Sequence, residues 1–252
     1  MDKEKNFLNA LEDWGAVLTN TYEDATEHIV QPDKNEAGEL IVPRNYAEDS
    51  MYKFKGTKRG TFKGGLIIPD DVTEIHYAAF SKCKDIYHVV MPDSVRLIEG
   101  FAFNNCINLQ KIVIPEGVDA IAEYTFNNCN SLKSVKFPSR LKSIKSDAFN
   151  NCDLQAGLVI PNGTRTLGQY SFSNNKNLTT LKLNRGLTRI NRWAFMGCEG
   201  LTGELVIPRT VRFIGLLAFG NTNFSKIHVP KDKVGLWDEE WNDRCPAEIV
   251  YY

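Results

Sequence analysis

The sequence lacks a long hydrophobic run, and it has no excess of charge of either sign. No apolar stretch approaches the ~20 residues that a helix needs to cross a bilayer, so we expect no membrane span. The 30 lysines and arginines nearly balance the 31 aspartates and glutamates, which argues against a nucleic-acid-binding protein. Residues 1–5, MDKEK, have no apolar signal core after them. As written, the chain therefore favours the cytoplasm or an assembled particle, and a cell-surface or secreted location requires that a signal was removed.

Residue patterns that carry chemistry are also absent. The four histidines, His28, His76, His88 and His228, are scattered and form no metal-ligand spacing with cysteine or glutamate. The sequence has no phosphate-binding glycine-rich loop and no nucleophile elbow. We therefore expect a protein without enzyme activity, metal or cofactor, and we assign the histidines to the surface.

What the sequence does contain is a repeat with a period of 23 residues. The proline series is Pro69, Pro92, Pro115, Pro138 and Pro161, continued by Asn184, Pro208 and Pro230. The phenylalanine series is Phe80, Phe103, Phe126, Phe149, Phe172, Phe195 and Phe219. A fixed period in this range predicts a stacked solenoid. In such a fold each repeat contacts only its neighbours, and a lone repeat cannot bury its apolar face.

Residues 109–132, LQKIVIPEGVDAIAEYTFNNCNSL, show what one repeat contributes. The opening alternates as a strand does, which predicts Ile112 and Ile114 inward and Lys111 and Val113 outward. Pro115 follows at once, at a position where a strand can end. The second extended arm and the closing turn supply the other inward residues, Val118, Ile121, Phe126, Cys129 and Leu132.

The pattern Ile/Val-x-Ile-Pro-x-x-Val-x-x-Ile-x-x-x-Ala/Thr-Phe-x-x-Cys resembles the BspA-type leucine-rich repeats of bacterial surface and host-interaction proteins. Seven copies in register cover about residues 65–230. The resemblance implies a right-handed leucine-rich-repeat solenoid, mainly β with short turns, that binds partners and has no catalytic residues. Four departures are expected to be local loop changes. Asn184 replaces a proline, Asn175 and Thr222 replace cysteines, and Leu154 comes one place early.

Four of the six cysteines occupy one slot in successive repeats, at Cys83, Cys106, Cys129 and Cys152. Neighbours in that slot would lie ~4.8 Å apart, which is farther than the ~3.8 Å between the Cβ atoms of a typical disulfide. We therefore predict free, buried thiols. Such thiols are compatible with a reducing compartment.

The period divides the chain into three parts. Residues 1–64 are predicted to form an N-terminal helical cap and a degenerate first repeat, because Phe7, Leu11 and Trp14 share one helical face and residues 38–44 (GELIVPR) nearly match residues 203–209 (GELVIPR). The alternative for this helix is docking to another protein. Residues 65–230 form the array. Residues 231–252 are predicted to form a C-terminal cap that ends in one short strand.

Two outward rows are candidate binding sites. The first lies two residues before each phenylalanine and includes Phe101, Tyr124, Tyr170 and Trp193. Aromatic rings give a large contact area at low entropy cost, although lateral packing between repeats is an alternative explanation of the row. The second row lies on the outward side of the first strand and consists of Val90, Val113, Lys136, Val159, Lys182 and His228. Apolar residues on a solvent-facing sheet indicate a partner, whereas β-propensity alone also favours them there.

We interpret the chain as a non-enzymatic module that binds a protein through the solenoid surface, such as a molecule on a host surface. Two alternatives stay open. The chain can be a structural component of a larger assembly, such as a virion or surface layer, docked by its N-terminal segment. It can also be a carbohydrate-binding adhesin that uses the aromatic row to hold a glycan.

Overall fold

The computed structural model describes residues 64–68, 72–84 and 86–252. They form a parallel β-solenoid of about eight turns with almost no helix. The helical cap and the degenerate repeat that we expect in residues 1–64 lie outside the described residues, except for Gly64, which begins the first strand.

One row of strands is formed by the first arm of each repeat. The strands pair in parallel, and each residue faces its equivalent in the next repeat, as Ile112 faces Val89 and Val135. The row consists of β1 (Gly64–Ile67), β3 (Ile86–Val90), β5 (Lys111–Val113), β7 (Ser134–Lys136), β9 (Ala156–Val159), β11 (Leu178–Lys182), β13 (Glu204–Val206), β15 (Lys226–Val229) and β16 (Glu248–Tyr251). Where the strand pairing is interrupted, single backbone hydrogen bonds continue the row, such as the one from Gln155 N to Lys133 O at 3.0 Å.

A second row consists of two-residue strands that follow the proline slot. These are β2 (Glu74–Ile75), β4 (Leu97–Ile98), β6 (Ala120–Ile121), β8 (Ser143–Ile144), β10 (Thr166–Leu167), β12 (Arg189–Ile190) and β14 (Phe213–Ile214). The strands β6, β8, β10, β12 and β14 form one parallel sheet, and β2 pairs with β4. In each of them the second residue is buried, so the two rows close on one apolar interior.

The alternation predicted for the central repeat is confirmed. Ile112 and Ile114 are buried, whereas Lys111 and Val113 are partly exposed. The same spacing repeats along the chain because parallel, in-register pairing keeps equivalent residues on the same face.

Seven phenylalanines form a continuous stack through the core. From Phe80 to Phe219, successive ring centroids lie 5.2–5.6 Å apart and the rings are within 16° of parallel. None of the seven side chains is more than 1% exposed. Each such ring pair contributes about 0.5–1.5 kcal/mol beyond its burial, so the stack couples every turn to the next.

All six cysteines are free, as predicted. Cys106, Cys129 and Cys152 are also buried as predicted, whereas Cys83 is only partly buried. Their slot also has a role that the sequence did not indicate. The Cys129 thiol donates to the carbonyl oxygen of Phe103 at 3.2 Å, and the Cys152 thiol donates to that of Phe126 at 3.1 Å. Burial raises the pKa of these thiols well above the ordinary value, which keeps the donor proton in place.

The two departures in the cysteine slot preserve its donor. The Asn175 side chain donates through Nδ2 to the carbonyl oxygen of Phe149 at 2.8 Å. The Thr222 hydroxyl donates to the carbonyl oxygen of Phe219 at 2.7 Å. The slot thus accepts cysteine, asparagine or threonine, each of which supplies a small hydrogen-bond donor to a phenylalanine carbonyl. Cysteine and asparagine reach the phenylalanine of the preceding repeat, whereas Thr222 bonds within its own turn.

Residues 231–252 close the described chain with a 3-10 helix, Val234–Leu236, and with β16, which pairs with β15. The side chains of Trp237 and Trp241 are buried, and Trp241 lies edge-on against Phe219 with ring centroids 6.0 Å apart. The capping role of this segment stays a prediction, and the contact of Trp241 with the last ring of the stack supports it. No helix formed by the described residues has the length and apolar character needed to span a membrane.

Candidate functional site

The four candidate aromatic residues lie in the turn that follows each short strand, in a left-handed backbone conformation. The φ angles are 58° for Phe101, 58° for Tyr124, 53° for Tyr170 and 59° for Trp193. Bulky residues rarely adopt such angles. The same slot is left-handed when it holds Ala78, Asp147 or Leu217, so the conformation belongs to the repeat backbone and does not depend on the ring.

Hydrogen bonds between repeats hold this backbone in place. The amide of Tyr124 donates to Ser146 O at 3.0 Å, and the amide of Trp193 donates to Leu216 O at 2.9 Å. Each slot is therefore tied to the turn that follows it, and the left-handed angle is maintained by the stack as a whole.

The aromatic side chains form two separate pairs. Phe101 stacks on Tyr124 with ring centroids 4.5 Å apart, and Tyr170 stacks on Trp193 at 4.8 Å. All four side chains are partly exposed. Because one face of each ring is covered by its partner, less flat aromatic surface is open to a ligand than the sequence pattern indicates. The geometry supports lateral packing as one role of the row.

Asp147 separates the two pairs and is nearly buried, with 8% of the residue exposed. Its Oδ1 accepts a hydrogen bond from Asn150 Nδ2 at 3.0 Å, and the Tyr124 hydroxyl also donates to the carboxylate. Burial raises the pKa of Asp147, against the lowering effect of these two hydrogen bonds. The nearby carboxylate in turn raises the pKa of Tyr124. The Asp147 carboxylate is thus already hydrogen-bonded, to Asn150 in its own turn and to Tyr124 in the preceding turn.

The second candidate row lies on the outward side of the long strands, which we call the long-strand face. It carries Val90, Val113, Lys136, Val159, Lys182 and His228, together with Val206. Val159 and Val206 are 61% and 56% exposed. Lys136 and Lys182 are exposed as well, and Lys182 faces Val159 in the register of β9 and β11. The face can therefore bury valines against a partner while the lysines beside them form ion pairs with it.

The histidines of the long-strand face differ in their surroundings. His228 Nε2 lies 2.9 Å from Glu204 Oε2. Desolvation by the surrounding atoms and the neighbouring charge of Lys111 lower the pKa of His88. Among residues 64–68, 72–84 and 86–252, no three histidine, cysteine or carboxylate side chains are grouped so that they can hold a metal ion.

The uneven distribution of charge among the repeats was not predicted, because charge was counted only over the whole chain. Between residues 139 and 216 the arms that contain the short strands are basic, whereas residues 93–123 are predominantly acidic. A count of charge repeat by repeat detects this segregation without any structure.

Comparisons with known proteins agree with the repeat pattern. A family model described as the BspA type leucine rich repeat region matches residues 51–178 and 156–240, with six copies. A search of curated proteins finds no match.

Two solved structures are similar to the chain. A leucine-rich repeat protein from Bacteroides ovatus is 26% identical with a TM-score of 0.52, over 73% of this chain and 62% of that protein. The leucine-rich repeat protein of T. pallidum is 27% identical with a TM-score of 0.58, over 64% of this chain and 77% of that protein. The chain thus spans 62% of the length of the Bacteroides ovatus protein. The family model covers most of the sequence, and the chain belongs to the BspA-type leucine-rich-repeat family.

Proposed function

We propose that the chain is a non-enzymatic module that binds a protein on its long-strand face. Proteins with this repeat are generally protein-interaction or surface-associated modules, and they are generally non-enzymatic. The observation that carries the proposal is the exposure of Val159 and Val206 beside exposed lysines. A protein interface combines apolar and polar contacts, and this face offers both, with lysines that alternate with valines from repeat to repeat.

The long-strand face suits a protein better than the aromatic row does. Its backbone groups are already paired within the parallel strands, so a partner has to be held by side chains. Valine side chains that stand out from a sheet can enter shallow apolar pockets and supply binding energy concentrated in a few contacts. By analogy with the surface-associated members of the family, we extend the proposal to a protein on a host surface.

The test compares two double variants of the full chain. Val159→Ser with Val206→Ser removes the exposed valines, and Tyr124→Ser with Trp193→Ser removes one ring from each aromatic pair. Binding is measured on an array of purified animal cell-surface and extracellular-matrix proteins, and the affinity of each positive partner is then determined in solution. We expect the valine variant to lose at least ~10-fold in affinity, because a pair of anchor residues commonly contributes that much.

The two variants also separate the alternatives. The valine variant should keep the thermal melt of the parent within a few degrees, because exposed substitutions change stability little. Loss of binding in the aromatic variant alone would move the site to the aromatic row. If neither variant loses binding, the proposal fails and docking through the N-terminal segment becomes the better explanation.

A carbohydrate-binding role has one observation in its favour, which is the partial exposure of the paired rings. A glycan array probed with the same two variants tests it directly. Glycan binding that depends on Tyr124 and Trp193 would support the adhesin alternative.

A further inference from the structure

Charge is unevenly distributed among the short-strand arms, by which we mean the residues between each proline slot and the left-handed aromatic slot. The four arms 139–146, 162–169, 185–192 and 209–216 contain nine lysines and arginines and no aspartate or glutamate. The two preceding arms, 93–100 and 116–123, contain five carboxylates and one arginine. All nine cations are exposed. We call the outward side of the four arms the basic face.

Parallel stacking brings these like charges close together. Arg165 N donates to Lys142 O at 2.9 Å, Thr188 N donates to Arg165 O at 2.9 Å, and Arg212 N donates to Thr188 O at 2.8 Å. Lys142, Arg165 and Arg212 therefore occupy one column whose steps are ~4.8 Å. Like charges on directly opposed residues of neighbouring strands are destabilising. Lys142 and Arg165 are opposed in this way, whereas Thr188 separates Arg165 from Arg212, and a bound anion would relieve the repulsion between the cations.

Among the described residues, cations of the basic face form ion pairs with carboxylates only at its two borders. Lys142 Nζ lies 2.7 Å from Asp119 Oδ2, and Arg209 lies 3.1 Å from Asp232 Oδ1. Both carboxylates come from the next arm outside the basic face. In the part of the chain that the structure describes, the seven remaining cations form no ion pair with a carboxylate. Seven exposed cations are thus open to an anion from outside the chain.

The rings on the basic face are already covered. The guanidinium of Arg189 lies 4.0 Å from the ring centroid of Phe213, and that of Arg192 lies 5.6 Å from the ring of Trp193, which also stacks on Tyr170. Single-stranded nucleic acids are usually held by open rings on which bases stack, and these rings do not offer that. The stacked guanidiniums instead keep N–H donors available for planar or tetrahedral anions.

The basic face is also short, and acidic residues lie at both of its ends. Four arms at ~4.8 Å per step span roughly 15 Å along the solenoid, with the acidic arm 116–123 on one side and Asp238, Glu239 and Glu240 after the other. The chain as a whole carries a net charge of −1. A long duplex would meet both acidic flanks, whereas a thin, flexible polyanion can cross the basic face between them.

We propose that the basic face binds a linear acidic polysaccharide, whose sulfate or carboxylate groups contact the unpaired cations. This surface belongs to the short-strand row, so the inference does not rest on the protein-binding role proposed for the long-strand face. The binding energy is electrostatic, and the affinity therefore falls steeply with salt concentration.

The probe is a size-defined heparin oligosaccharide, titrated into the full chain by calorimetry at several sodium chloride concentrations. The test variant is Lys145→Gln/Arg165→Gln/Arg212→Gln, which removes three unpaired cations from the basic face. The matched control is Lys84→Gln/Lys133→Gln/Lys231→Gln, which removes three exposed cations outside both proposed binding faces and changes the net charge equally. We expect the test variant to lose ~10-fold or more in affinity with a shallower salt dependence, and the control to stay within ~2-fold of the parent.

Several outcomes would overturn the proposal. One is no heparin binding by the parent chain at low salt. Another is an equal loss in both variants, which would indicate diffuse attraction. Tighter binding of a 20-nucleotide single-stranded DNA than of heparin would assign the face to nucleic acid. A salt-sensitive dimer in light scattering that the test variant abolishes would assign it to a second copy of the chain. Because the substituted residues are exposed, a thermal melt at or above that of the parent is expected and excludes misfolding as the cause.

Discussion

Each turn of the solenoid contains two residues with a left-handed backbone, and the side chains found there show how strongly the turn selects them. One slot holds Asn105, Asn128, Asn151, Asn174 and Asn221, with φ between 54° and 60°, Gly197 with φ of 74° and, in the first described turn, Lys82 with φ of 63°. Asparagine and glycine are the residues that tolerate this conformation best. The repeated asparagines are therefore explained by backbone geometry as well as by polarity.

The amides in this region also bond from repeat to repeat. Asn151 Nδ2 donates to Asn128 Oδ1 at 2.8 Å, and Asn127 Nδ2 donates to Asn104 Oδ1 at 3.0 Å. The asparagine pattern was visible in the sequence. The left-handed conformation was not predicted, because a period of 23 residues fixes which residues are equivalent but not the φ angle that they share.

Asp147 provides the first prediction at this scale. Its pKa is raised by burial, so the folded state holds the proton more tightly than the unfolded state does. Stability is therefore lost as the pH rises above 3.8, the ordinary value, towards the folded pKa. An asparagine in place of Asp147 would keep an acceptor for Asn150 and Tyr124, and asparagine suits the φ of 56° at this position. We expect Asp147→Asn to raise the free energy of unfolding by about 1 kcal/mol or less at pH 7.

The measurement is a series of thermal melts between pH 3 and pH 8. The gain of Asp147→Asn should shrink below pH 4, where the parent carboxyl is itself protonated. Glu123→Gln, an exposed charge-matched control beside Tyr124, should show no such pH dependence. A lower melting temperature for Asp147→Asn at pH 7 would show that the carboxylate is stabilising.

At the scale of the element, the short strands approach one another more closely than their sequence pattern reveals. A Cβ placed on Gly168 would lie 2.4 Å from the backbone carbon of Lys145 and 2.4 Å from the amide nitrogen of Ser146. Gly215 has the same relation to Arg192, whose amide nitrogen would be 2.6 Å away. The glycines therefore allow adjacent arms to come into backbone contact.

We predict that Gly168→Ala destabilises the protein by about 1–3 kcal/mol, because an added methyl group in a packed site forces backbone shifts. The matched control is Gly235→Ala, since a Cβ on Gly235 would meet no atom within 4 Å. Urea unfolding of both variants gives the comparison. A Gly168→Ala variant as stable as the control would show that the arms can separate without cost.

The strands themselves were predictable from the sequence, whereas the contacts between neighbouring repeats were predictable only in part. Alternation gave the inward Ile112 and Ile114, and the cysteine spacing gave free thiols. The donor role of the slot became visible only when the carbonyl of Phe103 was found 3.2 Å from the Cys129 sulfur. Phe103 and Cys129 are 26 residues apart, and a repeat pattern describes each residue within its own unit. Contacts that cross from one unit to the next are therefore the part that the sequence leaves undetermined.

At the scale of the whole molecule, the hydrophobic core is continuous along the solenoid axis, whereas the surface charge is not uniform. The phenylalanine stack is continuous from Phe80 to Phe219, whereas the charge of the short-strand arms changes sign between residues 123 and 139. The core therefore behaves as one unit, and the surface is divided into regions that can meet different partners. In a linear array, coupling between neighbours sets the cooperativity of unfolding.

The last prediction follows from the position of each ring in the stack. Phe126 lies between Phe103 and Phe149, with centroids 5.5 Å and 5.2 Å away. Phe219 ends the stack and is also contacted edge-on by Phe224 and Trp241. Replacing either ring with alanine should cost about 3–5 kcal/mol. Phe126→Ala, however, divides the stack in two, whereas Phe219→Ala leaves the six rings from Phe80 to Phe195 in contact.

We therefore expect Phe126→Ala to broaden the thermal transition, or split it into two steps, and to lower the urea m-value more than Phe219→Ala does. Circular dichroism melts and urea titrations of the two variants measure this difference. Equal or reversed effects would mean that the turns unfold independently of the stack, and the array would not be one cooperative solenoid.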